Sequence, residues 1–422
     1  MTLAAWPTYD SYKDSGVEWL GDVPSPWPLT RLGGLFDERK SKVSDKDFEA
    51  LSVTKNGILP QLENAAKTND GDNRKLVKAG DFVINSRSDR KGSSGVSPLD
   101  GSVSLINIVL KPKGILPEFC NHILKSHAFV EEYYRMGHGI VADLWTTRYD
   151  EMRAIIMALP SPEEQRAIAA FLDEKCAKVD EAVRIKEEQI ALLRERRQIL
   201  IQQAVTRGLN PSAPLKDSGI DWIDQIPAHW EVRRSKYVFT QRKELARKDD
   251  VQLSATQSYG VIPQDEFEEL VGRRVVKIQT NLEKRKHVEL DDFVISMRSF
   301  QGGLERAFAT GCIRSSYVIL QPLQPVNADF FGYLFKSPRY IKALQVTGSF
   351  IRDGQDLNFD NFSKVDLFLP PLNEQAEIAA HIRAGCERID NGIAIKEDQI
   401  AALKEYKTSL INAAVTGKIK VA

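Results

Sequence analysis

Polar residues crowded beside glycine are the first place to look for chemistry in this chain. Ser86-Arg87-Ser88-Asp89-Arg90-Lys91-Gly92-Ser93-Ser94-Gly95 is such a stretch, with three cations after the apolar Phe82-Val83-Ile84. Arginine grips phosphate or binds guanine through two hydrogen bonds, and glycine lets a backbone approach closely. Arg87, Arg90 and Lys91 are therefore candidate DNA contacts. A related stretch, Met297-Arg298-Ser299-Phe300-Gln301-Gly302-Gly303, keeps Arg298. An ordinary exposed β-turn with solvated charges accounts for both stretches equally well. Arg39-Lys40 and Arg242-Lys243 follow apolar segments and carry the same two readings, phosphate contact or solvated face. Arg273-Arg274 and Lys284-Arg285-Lys286 add local basic clusters. Trp19, Trp27, Trp222 and Trp230 are read as core anchors rather than base-stacking platforms.

No enzymatic constellation accompanies these residues. The phosphate-cradling Gly-x-x-x-x-Gly-Lys-Ser/Thr loop, the zinc-binding His-Glu-x-x-His and the nucleophile elbow Gly-x-Ser-x-Gly do not occur. The nearest string to an adenine methyltransferase motif, Leu369-Pro370-Pro371-Leu372, lacks the amide and the aromatic ring that the motif requires. The six histidines form no pair or triad, and Cys120, Cys176, Cys312 and Cys386 are too scattered for a zinc site or a disulfide framework. Cys176 and Cys386 fit small buried apolar positions on helices. The expectation is a non-catalytic protein with no metal and no cofactor of its own. Asp291-Asp292 is the best acidic pair for a rival enzymatic reading, but the first half has Gly80-Asp81 there.

Composition sets the frame. A chain of 422 residues exceeds one core, and 42% hydrophobic residues with a mean hydropathy of −0.32 suit ordinary globular domains. No segment reaches the roughly 18 apolar residues that a membrane span needs, and nothing reads as a leader, so the expected location is the cytoplasm. Basic and acidic residues balance at 58 each. By segment, the globular parts carry 20 against 21 and 22 against 21. That argues against a nonspecific DNA coat but allows a reader with local basic patches.

The elements that would position these residues come in two copies. Lys13-Asp14-Ser15-Gly16-Val17-Glu18-Trp19-Leu20 matches Lys216-Asp217-Ser218-Gly219-Ile220-Asp221-Trp222-Ile223, and both continue to a proline and a second tryptophan, Pro24 and Trp27, then Pro227 and Trp230. The same offset of 203 aligns Phe36, Arg39, Lys40, Gly57 and Pro60 with Phe239, Arg242, Lys243, Gly260 and Pro263. Asp81-Phe82-Val83-Ile84 then matches Asp292-Phe293-Val294-Ile295 at offset 211, so the second copy has gained about eight residues, expected in a loop. Val103–Leu110, Ile313–Leu320, Ala154–Leu159 and Lys364–Leu369 read as strands, and Lys125-Ser126 and Lys336-Ser337 close short helices. Each globular half is predicted to be a mixed α/β (α+β) domain.

Residues 160–208 align with 370–418 without a gap, 21 of 49 identical. Proline and acidic residues open each copy, as suits a helix N-terminus. A seam of 3-and-4 steps follows: Cys176, Val179, Val183, Lys186, Ile190, Leu193, Arg197, Leu200 and Ala204, repeated as Cys386, Ile389, Ile393, Lys396, Ile400, Leu403, Lys407, Leu410 and Ala414. The cations interrupt both seams at the same places, where long stems snorkel and a polar site fixes register. Two matched seams in one chain, with only about eight linking residues after the first helix, predict an antiparallel intramolecular coiled coil with pseudo-two-fold symmetry. Helices of about 44 residues would be about 66 Å long. The expected domains are residues 1–159, 160–208, 209–369 and 370–422.

Taken together, the duplicated Lys-Asp-Ser-Gly-x-x-Trp-x-x-x-x-Pro-x-x-Trp opening, the Asp-Phe-Val-Ile…Arg-Ser block and the Leu-Pro-x-x-x-Glu-Gln-x-x-Ile-Ala-Ala start of a helix ending in Ala-Val-Thr resemble the specificity subunit of type I restriction-modification systems. The resemblance covers almost the whole chain. It implies two target-recognition domains, each reading one half of a bipartite double-stranded DNA sequence, with a helical spacer setting the gap. It also implies two modification subunits, which bind S-adenosylmethionine and methylate adenine, and restriction subunits that use ATP. The competing reading is a non-catalytic coiled-coil scaffold that holds two protein-binding domains apart.

Overall fold

The computed structural model describes residues 6–62, 71–140, 145–275, 284–296, 299–347 and 358–421, with Phe300 described in its backbone alone. The chain divides into two compact units, residues 1–187 with 397–422, and residues 188–396. The cuts fall inside the two long helices, so each unit holds one globular domain and half of each helix.

In the first unit an antiparallel sheet runs Ser94–Val96, Phe82–Asn85, Asn107–Pro112, Phe36–Glu38 from edge to edge. Its inner strand, Phe82–Asn85, is buried at every residue. Successive side chains of a strand point to opposite faces. Phe82 and Ile84 accordingly enter one hydrophobic cluster, while Val83 between them enters another with Leu51, Ile58, Val77, Val103 and Val109. A second sheet, Gly101–Val103, Arg74–Val77, Lys42–Val43, and the hairpin Leu51–Thr54/Gly57–Pro60 surround the smaller cluster. Helices Pro117–Lys125 and His127–Arg135 cover the larger one, with the Ser126 hydroxyl accepting from Phe129 N to cap the second helix.

The second unit repeats this arrangement, except that among the described residues its second sheet has two strands, Lys286–Val288 and Gly311–Ile313, in place of three. Its four-stranded sheet runs Glu305–Arg306, Phe293–Ile295, Val318–Pro322, Phe239–Arg242, and its hairpin is Leu253–Thr256/Gly260–Pro263. Phe293 and Ile295 face the larger cluster and Val294 the smaller. Helices Ala328–Phe335 and Pro338–Val346 follow, with Ser337 as the cap between them. The mixed α/β expectation holds for both domains.

Two local expectations change. Val103–Leu110 is not one strand: Gly101–Val103 ends there, Ser104–Ile106 turns, and Asn107–Pro112 begins. Ile313–Leu320 is interrupted in the same way between Gly311–Ile313 and Val318–Pro322. An apolar run bridging a tight turn carries no periodic signal that separates one strand from two. The gain of the second copy falls after its hairpin, where the helix Gln264–Val271 stands, and residues 63–70 and 276–283 of this stretch lie outside the described residues.

The long helices span Pro162–Arg207 and Leu372–Val415. In the second unit Leu193 faces Gly392, Arg197 lies 3.7 Å from Asp390 and Leu200 faces Gly385, so rising numbers on one helix meet falling numbers on the other. In the first unit the end of the second helix meets the start of the first: Gly417 packs on Pro24 and Trp27, and Trp27 bonds Glu164. The helix halves are antiparallel in each unit. Among seam residues, Cys176, Val179, Val183, Ile190, Cys386, Ile389 and Leu410 are buried, and Leu193, Leu200, Ile393, Ile400 and Leu403 are half-buried. Lys407 reaches Asp180 at 2.7 Å, the counterpart of Arg197 and Asp390 one repeat away. Two of the four seam cations, Arg197 and Lys407, are thus paired across the helices, a polar contact that fixes register.

Candidate nucleic-acid interface

The repeated motifs meet at the base of each domain. Trp27, fully buried, donates its indole N–H to Glu164 Oε2 at 3.0 Å, and Trp230 does the same to Glu374 Oε2 at 3.1 Å. The neighbouring glutamine closes the joint: Gln165 Oε1 accepts from Leu116 N and its Nε2 donates to Pro160 O, both at 2.9 Å, and Gln375 repeats this with Asn327 N and Pro370 O. A buried indole N–H or amide is costly unless bonded, so the Glu-Gln pair at each helix start is explained as a fastening to the domain. The reading of Trp27 and Trp230 as core anchors holds.

The eight candidate cations fall into distinct environments. Arg39 is bound to Asp81 through Nε at 2.7 Å and Nη2 at 3.0 Å, and Arg242 to Asp292 at 2.7 and 3.1 Å. Neither a phosphate grip nor a solvated face describes them, because both guanidinium groups are committed to buried carboxylates. Lys40 and Lys243 are exposed, with Lys40 3.2 Å from Glu38. Arg87 is exposed at the start of the short 3-10 turn Ser88–Arg90, and Arg90 is exposed beside Asp89. Lys91 pairs with Glu131 at 2.6 Å. Arg298 lies outside the described residues.

A groove in the second domain was not foreseen from the sequence. It has a volume of about 1010 Å³ and opens between the hairpin Leu253–Thr256/Gly260–Pro263, the helix Gln264–Val271 and the strand Gly311–Ile313. Among the described residues its wall includes Gln257, Tyr259, Arg273, Arg285, Gln301 and Arg314. Glu305, the one acidic member among the described residues, is paired with Lys336 at 2.6 Å, and burial raises its pKa. The basic clusters Arg273-Arg274 and Lys284-Arg285-Lys286 were visible in the sequence; that Arg273 and Arg285 share a cavity with a hairpin tip was not.

Charge also sits beneath the groove. His287, wholly buried on the strand beside Arg285, holds Asp250 at Nδ1 (2.8 Å) and Glu289 at Nε2 (2.8 Å). Burial works against its charge, but the hydrogen bonds to Glu289 and Asp250 prevail and raise its pKa. With a carboxylate against each ring nitrogen, only the imidazolium donates to both.

Comparison with known proteins places this geometry. Over 429 aligned positions, covering 95% of this chain and 96% of the relative, it is 24% identical to a Methanocaldococcus jannaschii protein provisionally named the specificity subunit of the type I restriction enzyme MjaX. A chain from a structural study of complex assembly and conformational transition of the type I restriction-modification system superposes with TM-score 0.66 at 16% identity, covering 93% of this chain and 98% of that one. The HsdS subunit of Thermoanaerobacter tengcongensis superposes with TM-score 0.54 at 18% identity, covering 96% and 100%. The chain is a homologue of type I restriction specificity subunits and shares their fold. No protein-family model matches it.

In this specificity-subunit fold the domain frame is the repeated part. The Arg–Asp pair, the Trp–Glu bond and the four-stranded sheet recur in both units, whereas the exposed polar residues around each hairpin differ. No group of three or more His, Cys, Asp or Glu among the described residues is placed to hold a metal ion. No described helix is long and apolar enough to cross a membrane.

Proposed function

We propose that this chain is the non-catalytic DNA-recognition subunit of a type I restriction-modification complex, each domain reading one half of a bipartite duplex sequence. The observation that carries this reading is a fold kept twice on one frame while its exposed polar surface differs between copies. Two readers of unlike half-sites need that combination, and the full-length similarity to a named specificity subunit supports it.

The partners proposed are two modification subunits and, through them, restriction subunits. S-adenosylmethionine and ATP belong to those partners and not to this chain, and the complex works in the cytoplasm. Exposed Ile185, Leu192 and Ile199, seven residues apart along the first long helix, favour docking of partner helices there. Near-zero net charge supports a division of labour in which partners supply much of the phosphate contact.

The test is to reconstitute the chain with type I modification subunits and sequence the methylated adenines. A single bipartite motif is expected, with weak DNA binding by the lone chain and tighter, salt-sensitive binding by the complex. Inserting four residues, about one turn, at matching places in both long helices should lengthen the unspecified gap and leave the half-sites unchanged. A scaffold for protein partners would show no preference among duplex sequences.

A further inference from the structure

We propose that the tips of two equivalent hairpins, Lys55-Asn56 in the first domain and Gln257-Ser258-Tyr259 in the second, are the residues that read DNA base edges. The inference rests on the DNA-recognition reading above and names the part of each domain that performs it.

The hairpins occupy the same place in the two domains, Leu51–Thr54/Gly57–Pro60 and Leu253–Thr256/Gly260–Pro263, and their backbones are tied by one device. Thr54 Oγ1 accepts from Asn56 N at 3.1 Å and donates to Gly57 O at 2.9 Å. Thr256 Oγ1 accepts from Tyr259 N at 3.0 Å and donates to Gly260 O at 3.1 Å. Gly57 and Gly260 both take positive φ, 117° and 71°, where a side chain would be strained. The backbone tie at each tip is thus made by a threonine and a glycine present in both copies. Lys55, Asn56, Gln257, Ser258 and Tyr259 are exposed at the tips, with the Gln257 carbonyl accepting from Lys336 Nζ and the Tyr259 ring lying beside Phe267.

Those identities suit base reading. A two-stranded β-ribbon fits the major groove, where asparagine and glutamine match adenine, lysine meets guanine, and serine accepts several partners. The two tips differ in length as well as sequence, so the domains present different donors and acceptors from one frame. Their surroundings agree. Gly95, at the end of the cationic stretch that holds Arg87, Arg90 and Lys91, packs against Gly57 of the first hairpin. Gly302, in the matching stretch of the second copy, packs against Gln257. Arg273 and Arg314 line the groove that Gln257 and Tyr259 help to wall, and both are exposed. Cations beside a reading tip hold phosphates and set its register on the duplex.

The experiment uses the complex reconstituted with modification subunits and a panel of duplexes carrying single base changes across its methylated motif. Q257A with S258A and Y259A should lower discrimination at positions of one half-site by about 10- to 100-fold, leaving the other half-site and the gap unchanged. K55A with N56A should do the reverse. The isosteric Q257E and N56D, which turn a donor into an acceptor, should shift base preference at one position each. R273A with R314A should instead weaken binding uniformly and reduce its salt dependence. Tip variants that melt like the parent and keep full discrimination at both half-sites would overturn the assignment, as would uniform loss at both. A parent complex with no sequence preference would overturn the DNA-recognition reading itself, before any variant is compared.

Discussion

Arg242 clasps Asp292 through two parallel hydrogen bonds, and Arg39 clasps Asp81 in the same way one repeat earlier. Each aspartate also accepts a backbone N–H three residues before it, from Lys78 at 2.8 Å and Glu289 at 2.9 Å. The pair thus locks the turn before the central Phe-Val-Ile strand to the end of the edge strand carrying the arginine. Bidentate arginine–carboxylate pairs are geometrically specific, and lysine cannot replace arginine in them.

Removing one partner of such a buried pair leaves an uncompensated carboxylate. R39A should destabilise the first domain by about 3 kcal/mol, and R39K should recover little of it. K40A, at an exposed site, should stay within about 0.5 kcal/mol. Urea melts of the full chain check this. The salt dependence of DNA binding by the complex should not change in R39K, because this guanidinium is committed to Asp81.

The helix pairing gives a second prediction. Asp180–Lys407 and Asp390–Arg197 are the same contact seen from the two repeats. Reversing the charge in K407D should place two carboxylates together and lower the thermal midpoint, and D180K with K407D should restore most of it. The coupling measured by the double-mutant cycle should be about 0.2–1 kcal/mol, as for partly exposed pairs.

A third concerns the joint between domain and helix. E164A leaves the buried indole of Trp27 without its acceptor and should cost about 1–3 kcal/mol. E164Q keeps an oxygen there and should cost less. The same ordering is expected for Glu374 and Trp230 in the second domain. Tryptophan fluorescence during denaturation separates these effects from global unfolding.

The last is a pH dependence. The folded pKa of His287 is raised above its ordinary 6.5, so its stabilising contribution is complete below that value and is lost as pH climbs through the raised one. Glu289 is held below its ordinary 4.5 mainly by the hydrogen bond from His287, so its contribution is present above 4.5 and lost as pH falls through the lowered value. The second domain should be most robust between these limits. H287N should remove the decline on the alkaline side, as read by thermal melts of the full chain across pH.

Much of this was legible in order along the chain, and the reason is that the repeat is an internal comparison. A duplicated motif separates residues that the frame requires from those it does not, without any second protein. That argument found the helix pair, the tryptophan anchors and the two mixed domains. It did not separate Arg39 from Lys40. Both follow the edge strand Phe36–Glu38, and only the folded chain shows which of them meets Asp81.

The amino-acid sequence by itself determined the duplicated architecture, the antiparallel sense of the helices and the family resemblance, because these rest on periodicity and order, which are local or repeated. Only the tertiary structure decided which cations are spent on internal carboxylates, which line a groove, and that each candidate turn lies against a hairpin. Those are contacts between residues from roughly 40 to more than 200 positions apart, such as Arg39 with Asp81 and Asp180 with Lys407. Spacing along a chain carries no information about such encounters until the sheet register and helix pairing bring the partners together.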